Sequence, residues 1–450
     1  MKRFPKFWTA RAVAVLLGAT CAFPAFGQDH TVLSARAGER HSMPLPAPNA
    51  QGISLSLSQA VALAVSNNVD LNVSLNAAQS FEYSILQNQG IFDPLVSASV
   101  NRSHAELPAA STITSGVFDD TTFSGNVSQL TPLGGVFQLG FNGTRETTNN
   151  QFAQVNPSYA GGLILSMNQP LLRGFGLNQT RWLIRIARHT RDSAYQDLLR
   201  NVQATVNSVE QAYWDLVYSL QNLEVKRESL RIAQDLNRIT RIKIDVGSLA
   251  PIDITQTEVG IATAEQDIIT AEGLIGDAQD RLKRQLNFVG ANQVTIPIFP
   301  TDQLSTEDVT IQVDEGTALA LKRRPEVLST GYLLASDEVR LDYYTHQTLP
   351  GLNLVGSYGS RGLAGMAVDP VTGAVTDTNF SQTYQDVFHR RNKNWSIGLN
   401  FSYPILNRSA RGARGVAKYT YESDRARYAS VVQNVVVEVR GAARSIDTAR

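Results

Sequence analysis

From Ala62 the chain reads ALAVSNNVDL, and 256 residues later, from Ala318, it reads ALALKRRPEV. The same offset lays Pro94 of DPLVSASV on Pro350 of LPGLNLVGSY without a gap. LILSMNQPLL (163–172) aligns with IGLNFSYPIL (397–406) at an offset of 234, and VQATVNSVEQA (202–212) with VQNVVVEVRGA (432–442) at 230. A duplication of this kind means that one plan has to be built twice. The plan is helix, strands, very long helix, turn, long helix. It divides the chain into a first copy at 53–287, a linker at 288–311 and a second copy at 312–450. Position 450 corresponds to about 220 of the first copy, so 67 residues of that copy have no counterpart. Arg450 falls inside a helical pattern with no stop signal, and the expectation is a sequence cut short within its second long helix.

Two periodicities alternate along each copy. In the first long helix Val202, Val206, Val209, Tyr213, Leu216, Leu220 and Leu223 follow a 4,3 rhythm, the seam of a coiled coil. After a turn, Ile261, Ala264, Ile268, Ala271, Ile275, Ala278 and Leu282 continue it with large and small knobs alternating. The helix before the turn should run from about 181 to 246, roughly 100 Å at 1.5 Å per residue. So narrow a seam on so long a helix calls for lateral packing of helices on one another.

The remaining segments alternate with period two. Trp395, Ile397, Leu399, Phe401 and Tyr403 share one face, with Ser396, Gly398, Asn400 and Ser402 on the other. Phe137, Leu139 and Phe141 alternate with Gln138, Gly140 and Asn142 in the same way. About nine residues with one apolar and one small, polar face suit a tilted transmembrane β-strand. A soluble sandwich with one buried face is the competing reading. Glycine-, serine- and threonine-rich stretches at 101–120 and 360–390 are expected to be the outer loops. The first copy also carries TTFSGNVSQLTPLGGVFQLGFNGTRE (121–146), absent from the second, which reads as an additional hairpin turning at TPLGG. It either joins the barrel or folds over its mouth.

The N-terminus explains where such strands would go. Lys2, Arg3, Lys6 and Arg11 precede an apolar run from Ala12 to Phe23 and an Ala25-Phe26-Gly27 site, a secretory leader at 1–27. A lipid anchor on Cys21 fits less well, because Gly18 and Thr20 occupy the positions before it. Removing the leader takes four of the 40 basic residues and none of the 40 acidic ones, leaving a net charge of −4 and no cysteine. No disulfide can then stabilise the exported chain, and no basic excess points to nucleic acid. The segment 28–52 precedes the first copy.

At this point the sequence resembles the TolC-type outer-membrane efflux family. The resemblance covers nearly all of 53–450 and rests on the duplicated plan, on QPLLRGFG (169–176) and on VGSLAPID (246–253). It implies an α+β membrane protein. In that fold a homotrimer shares one outer-membrane β-barrel, continued by a helical coiled-coil barrel across the periplasm. It also implies passive export of substrates delivered by an inner-membrane pump and a periplasmic adaptor protein. Pro170 and Pro404 would mark the strand-to-helix turns, and Gly247, Pro251 and Asp253 the periplasmic tip, where the tunnel narrows. Asp253 reads from the sequence as an N-cap with Gln256 completing a capping box, and from the resemblance as part of the closed entrance. In the family, the partner residues and an acidic ring come mostly from a second hairpin tip, which would lie beyond Arg450.

Nothing in the sequence points to catalysis, a cofactor or a metal. The six histidines (30, 41, 104, 189, 346 and 389) show no ligand spacing and are expected to be solvated, with His104 and His389 in loops. Lys322, Arg323 and Arg324 read as a helix C-terminus complementing its dipole, and Arg408, Arg411 and Arg414 as water-facing. Two other readings remain open: a structural periplasmic coiled-coil protein with a soluble β-cap, and a truncated, non-functional copy of such a channel.

Overall fold

The computed structural model describes residues 52–108, 116–150, 152–288, 290, 294–303, 312–368 and 374–449. The expected leader, Cys21 and Arg450 lie outside these residues.

The chain begins with β1 (Ile53–Leu55), which pairs in parallel with β6 (Ile298–Pro300). Helix α1 (Leu57–Asn67) starts at a capping box, in which the Ser56 hydroxyl accepts from the Gln59 amide and the Gln59 side chain accepts from the Ser56 amide. Asn68 then breaks the helix in an extended conformation and caps α2 (Val69–Gln89) through the amides of Asp70 and Leu71. The same joint recurs between α6 (Val313–Arg323) and α7 (Pro325–His346). There Arg324 is extended, and Pro325 starts the new helix at a position where its missing N–H costs nothing.

Helix α3 (Leu177–Thr180) is one turn, and α4 (Trp182–Asp245) follows with 64 residues. A turn leads to α5 (Asp253–Gln285). The upper part of α4 packs on α7, where Trp182 stacks on Tyr343 with ring centres 4.0 Å apart. The same upper part packs on α2, where Arg191 pairs with Glu82 and Asn201 donates to Ser74; the middle packs on α1 and the lower part on α5. A last helix, α9 (Arg408–Ala449), lies on α6 and α7. The main core forms where β1, β6 and α1 meet the middle of α4 and the end of α5. Leu55, Leu63, Val209, Tyr213, Leu216, Leu282, Leu286 and Ile298 are fully buried there. Among the described residues no helix is long and apolar enough to cross a membrane.

The long strands form one antiparallel sheet. It contains β2 (Leu95–Glu106), β3 (Val117–Leu130), β4 (Val136–Thr148), β5 (Val155–Pro170) and β7 (Gly351–Val368), in that order. Along its far edge β7 pairs with β9 (Asn392–Ser402) at its start and with short β8 (Val375–Asp377) at its end. The additional hairpin is therefore part of the sheet: β3 pairs along the whole of β2, and β4 along most of β5. Its turn closes through Gly134, which takes a positive φ of 90°.

The stretches 101–120 and 360–390 are not simply loops. Residues 101–106, 117–120 and 360–368 are strand, so β2, β3 and β7 run past the apolar band, and Phe380–Phe388 is a helix, α8. Polar and charged pairs such as Arg102 with Thr121 carry the ladder outward, because backbone pairing does not require apolar side chains. Alternation of apolar residues marks only the part of a strand with an apolar neighbour on one side.

Candidate channel wall and helical tip

Residues directly opposite in an antiparallel sheet share a face. One row therefore runs Val96, Val127, Leu139, Leu165, Tyr358, Trp395 across six strands. A row on the opposite face runs Ser99, Ser124, Asn142, Gly162, Arg361, Asn392. Hydroxyl pairs bridge neighbouring strands on the polar face, Ser99 with Ser124 and Ser357 with Ser396, each at 2.8 Å. The segregation is complete enough for the sheet to divide an apolar phase from water.

Helix α8 lies on the apolar face. A row of Gly143, Gly161 and Gly362 on adjacent strands clears a seat for it, flanked by Phe123. A Cβ at Gly143 would strike Phe123 and Tyr384, and one at Gly362 would strike the backbone of Thr383. Tyr384 stacks on Phe141 at 5.0 Å, Phe380 meets Phe123 and Tyr159 edge-on, and Thr383 donates to the Tyr159 carbonyl. Phe380, Tyr384, Val387 and Phe388 have helical spacing, but it covers only about two turns within a stretch that reads as loop, and the strands it packs on lie far away along the chain.

Pro170 ends β5 opposite Asn353, and Gly174 and Gly176 take positive φ angles of 83° and 103° as the chain turns toward α3. Pro404 lies between β9 and α9, with Asn407 at positive φ before the helix starts.

The turn between α4 and α5 is built by Gly247 and Pro251. Gly247 has a φ of 75°, and the amides of Gly247 and Ser248 donate back to Ile244 and Lys243, the paired bonds of a Schellman cap. Asp253 is not an N-cap. Pro251 pre-sets helical φ and starts the turn early, so Asp253 falls inside it and its carboxylate accepts from the Ala250 amide at 3.1 Å. An acid at the first residue of α5, reaching back to an amide just before the helix, also suits the positive end of the dipole. Just behind the tip, Asn237 donates to Thr257 at 2.7 Å and Arg241 pairs with Glu258 at 3.2 Å, tying α4 to α5.

Along the seam Val209, Tyr213 and Leu216 are fully buried, and Val206, Leu220, Ile261, Ile268 and Ile275 are half-buried. Tyr213 is also a polar hub, which its place in the heptad conceals. Its hydroxyl lies 2.7 Å from Asp302 Oδ2 and 3.1 Å from the Leu55 carbonyl, and accepts from the amides of Thr301 and Asp302. Asp302 also accepts from the Leu57 amide at 2.6 Å, and that bond, with the tyrosine, holds its pKa below the ordinary carboxylate value.

The histidines depart from expectation. His104 lies within β2, its ring 2.9 Å from Asp119 and 3.4 Å from Glu106. His189 and His346 are partly buried, each with Nδ1 enclosed and without a hydrogen-bond partner among the described residues. Among the described residues no cluster could hold a metal ion.

One carboxyl pair is not legible from spacing. Asp337 on α7 faces Asp424 on α9, with Arg340 at 2.7 Å from the first and Arg427 at 3.1 Å from the second. Burial, and then the neighbouring carboxyl, push the Asp337 pKa up to about 6. The folded state thus holds this proton more tightly than the unfolded state. The stabilisation is full below about pH 4 and is lost as pH rises through about 6. Asp337→Asn is expected to raise the melting temperature at pH 8, equivalent to at most about 3 kcal/mol of stability, and to leave it unchanged near pH 4. Melting curves at the two pH values test this, and an equal effect at both would refute it.

The profile of the outer membrane efflux protein family matches residues 136–287 and 317–450. No curated protein sequence matches the chain. Among solved structures, a membrane protein from Pseudomonas aeruginosa is 18% identical and superposes with a TM-score of 0.60, covering 90% of this chain and 80% of that one. The outer membrane protein VceC of Vibrio cholerae is 12% identical, with a TM-score of 0.58 over 87% of this chain and 79% of that one. The outer membrane channel CmeC of Campylobacter jejuni is 17% identical, with a TM-score of 0.54 over 84% and 68%. These likenesses show the fold, mixed helix and sheet. With the profile covering most of the chain, from β4 through α5 and again from α6 into α9, the protein belongs to the outer membrane efflux protein family.

Proposed function

We propose that three copies of this chain assemble into one export conduit. The long strands close into a shared barrel in the outer membrane, and the α4–α5 hairpins form a helical tunnel beneath it. Solutes pass without energy input from this protein. They are handed over by a periplasmic adaptor and an inner-membrane pump, as the fold's length across the periplasm suits. The observation that carries this reading is the two-faced sheet running directly into a 64-residue helix. One part is suited to lipid and the other to spanning a wide aqueous compartment.

The hairpin tip, with Gly247, Pro251 and Asp253, is the proposed narrow entrance. Asp253 holds it by fixing the turn through the Ala250 amide. The full-length protein in a planar bilayer is expected to conduct ions weakly, and Asp253→Ala to raise the mean conductance several-fold by loosening the tip. A purified, correctly assembled protein that conducts in neither form would sink the proposal. Conductance that is high and identical in both forms would remove Asp253 from the gate.

A further inference from the structure

We infer that the membrane barrel of this protein has 18 strands, six from each chain, and is correspondingly wide. The inference rests on the three-copy reading above and adds to it the size of the exit.

The sheet of one chain has two open edges. On one side, among the described residues, β2 has no neighbour beyond β3, and all its residues except Ala105 are exposed. On the other, β9 pairs among the described residues only with β7 and leaves Trp395, Ile397, Leu399 and Phe401 about two-thirds exposed or more. Open sheet edges with apolar faces do not persist in lipid, because each unpaired amide and carbonyl costs several kcal/mol there. Six strands are too few to close alone, since transmembrane barrels start at about eight. The fitting occupant of each edge is the opposite edge of a second copy. β2 has 12 residues and β9 has 11, so the two match in length. With an even number of strands, β2 and β9 run in opposite directions, so a ring of identical copies is antiparallel at every seam.

The hairpin β3–β4 sits between β2 and β5 as a full member of this wall. β3 pairs with both neighbours over its length, and both of its faces follow the apolar and polar rows. Folded out as a flap over the mouth, it would take from β2 the partner that β2 pairs with along its whole length. Two added strands also leave the plan intact, since β2 ends and β5 begins at the same end of the sheet. The extra hairpin therefore widens the wall without inverting anything that follows.

Width follows from geometry. With strands about 4.8 Å apart and tilted about 40°, a barrel of 12 strands has a backbone radius of about 12 Å and one of 18 strands about 18 Å. Equivalent positions related by threefold symmetry are then about 21 Å apart in the first case and about 31 Å in the second.

The test uses the full-length protein extracted in detergent, with Cys21→Ser and a single spin label at Ser166→Cys on β5 or at Ser99→Cys on β2. Both positions lie on the polar face. Because the labels point into the lumen, their reach of roughly 6 Å comes off the backbone radius, and both are expected to give inter-chain distances of about 21 Å in an assembly whose native mass is three chains. Three chains with distances of about 10 Å, the value for 12 strands, would overturn the 18-strand barrel and leave the conduit standing. A short distance at Ser166 with a long or absent one at Ser99 would place β2 outside the wall, and would also overturn it. An assembly of another size would remove the three-copy reading itself, and the strand count with it.

Discussion

Tyr213→Ala is expected to cost about 3–5 kcal/mol, the usual range for removing a large aromatic from a packed core. The ring is fully buried at the meeting point of α4, α1, α5 and the β1–β6 pair. Its removal leaves a hole that long helices cannot collapse around, because the seam above and below fixes their separation. The hydroxyl contributes separately. It has one proton, which goes to Asp302 at 2.7 Å, and it accepts the amides of Thr301 and Asp302. Tyr213→Phe keeps the ring and strands those groups, and should cost about 1–3 kcal/mol. Denaturant unfolding followed by helical signal separates the two contributions. If the phenylalanine variant matches the wild type, the polar hub contributes nothing and only packing remains.

The second large effect concerns the sheet. Leu165 and Ser166 are neighbours on β5, near mid-strand, and point to opposite faces. Leu165→Arg puts a charge on the face read as lipid-exposed, at a cost of about 2–4 kcal/mol near the bilayer midplane. In the proposed three-copy barrel the cost is incurred three times, so assembled protein in the outer membrane should fall to a small fraction of normal. Ser166→Arg places the same charge in the aqueous lumen and should leave assembly near normal while altering ion selectivity. Outer-membrane fractionation of the two variants gives the answer. Equal loss from both, or loss from Ser166→Arg alone, would mean that the faces are assigned the wrong way round or that the sheet is not in lipid.

Periodicity reaches as far as a pattern repeats. The seam from Val206 to Leu220 and the alternation from Trp395 to Phe401 are visible in sequence because each residue's environment recurs along its own element, once per helical turn or at every second strand position. The hairpin 121–146 is visible for the same reason, but its place is not, since pairing partners are backbone groups that leave no mark on side chains. Tyr213 looks like any seam residue because its partners, Leu55, Thr301 and Asp302, come from segments distant in the chain. The sequence puts Asp253 at the right turn but in the wrong capping role, because Pro251 lets a helix begin before the first side chain able to cap it. The seat of helix α8 and the Asp337–Asp424 pair are tertiary, one set by three glycines on three strands and the other by two helices meeting; only the two-turn apolar spacing of α8 is in the sequence.

The hub at Tyr213 also sets the mechanics of the long helix. Above it α4 is braced by α7 and α2, and at its level by the core; below it, among the described residues, α5 alone lies alongside. That lower part is a cantilever with its fixed end at Tyr213, an arm of about 48 Å at 1.5 Å per residue. A tilt of about 10° at the fixed end sweeps the free end sideways by about 8 Å, with no bend in either helix. A small rotation at the middle of the molecule is thus magnified at the end, where an incoming partner would have the longest lever to pull on.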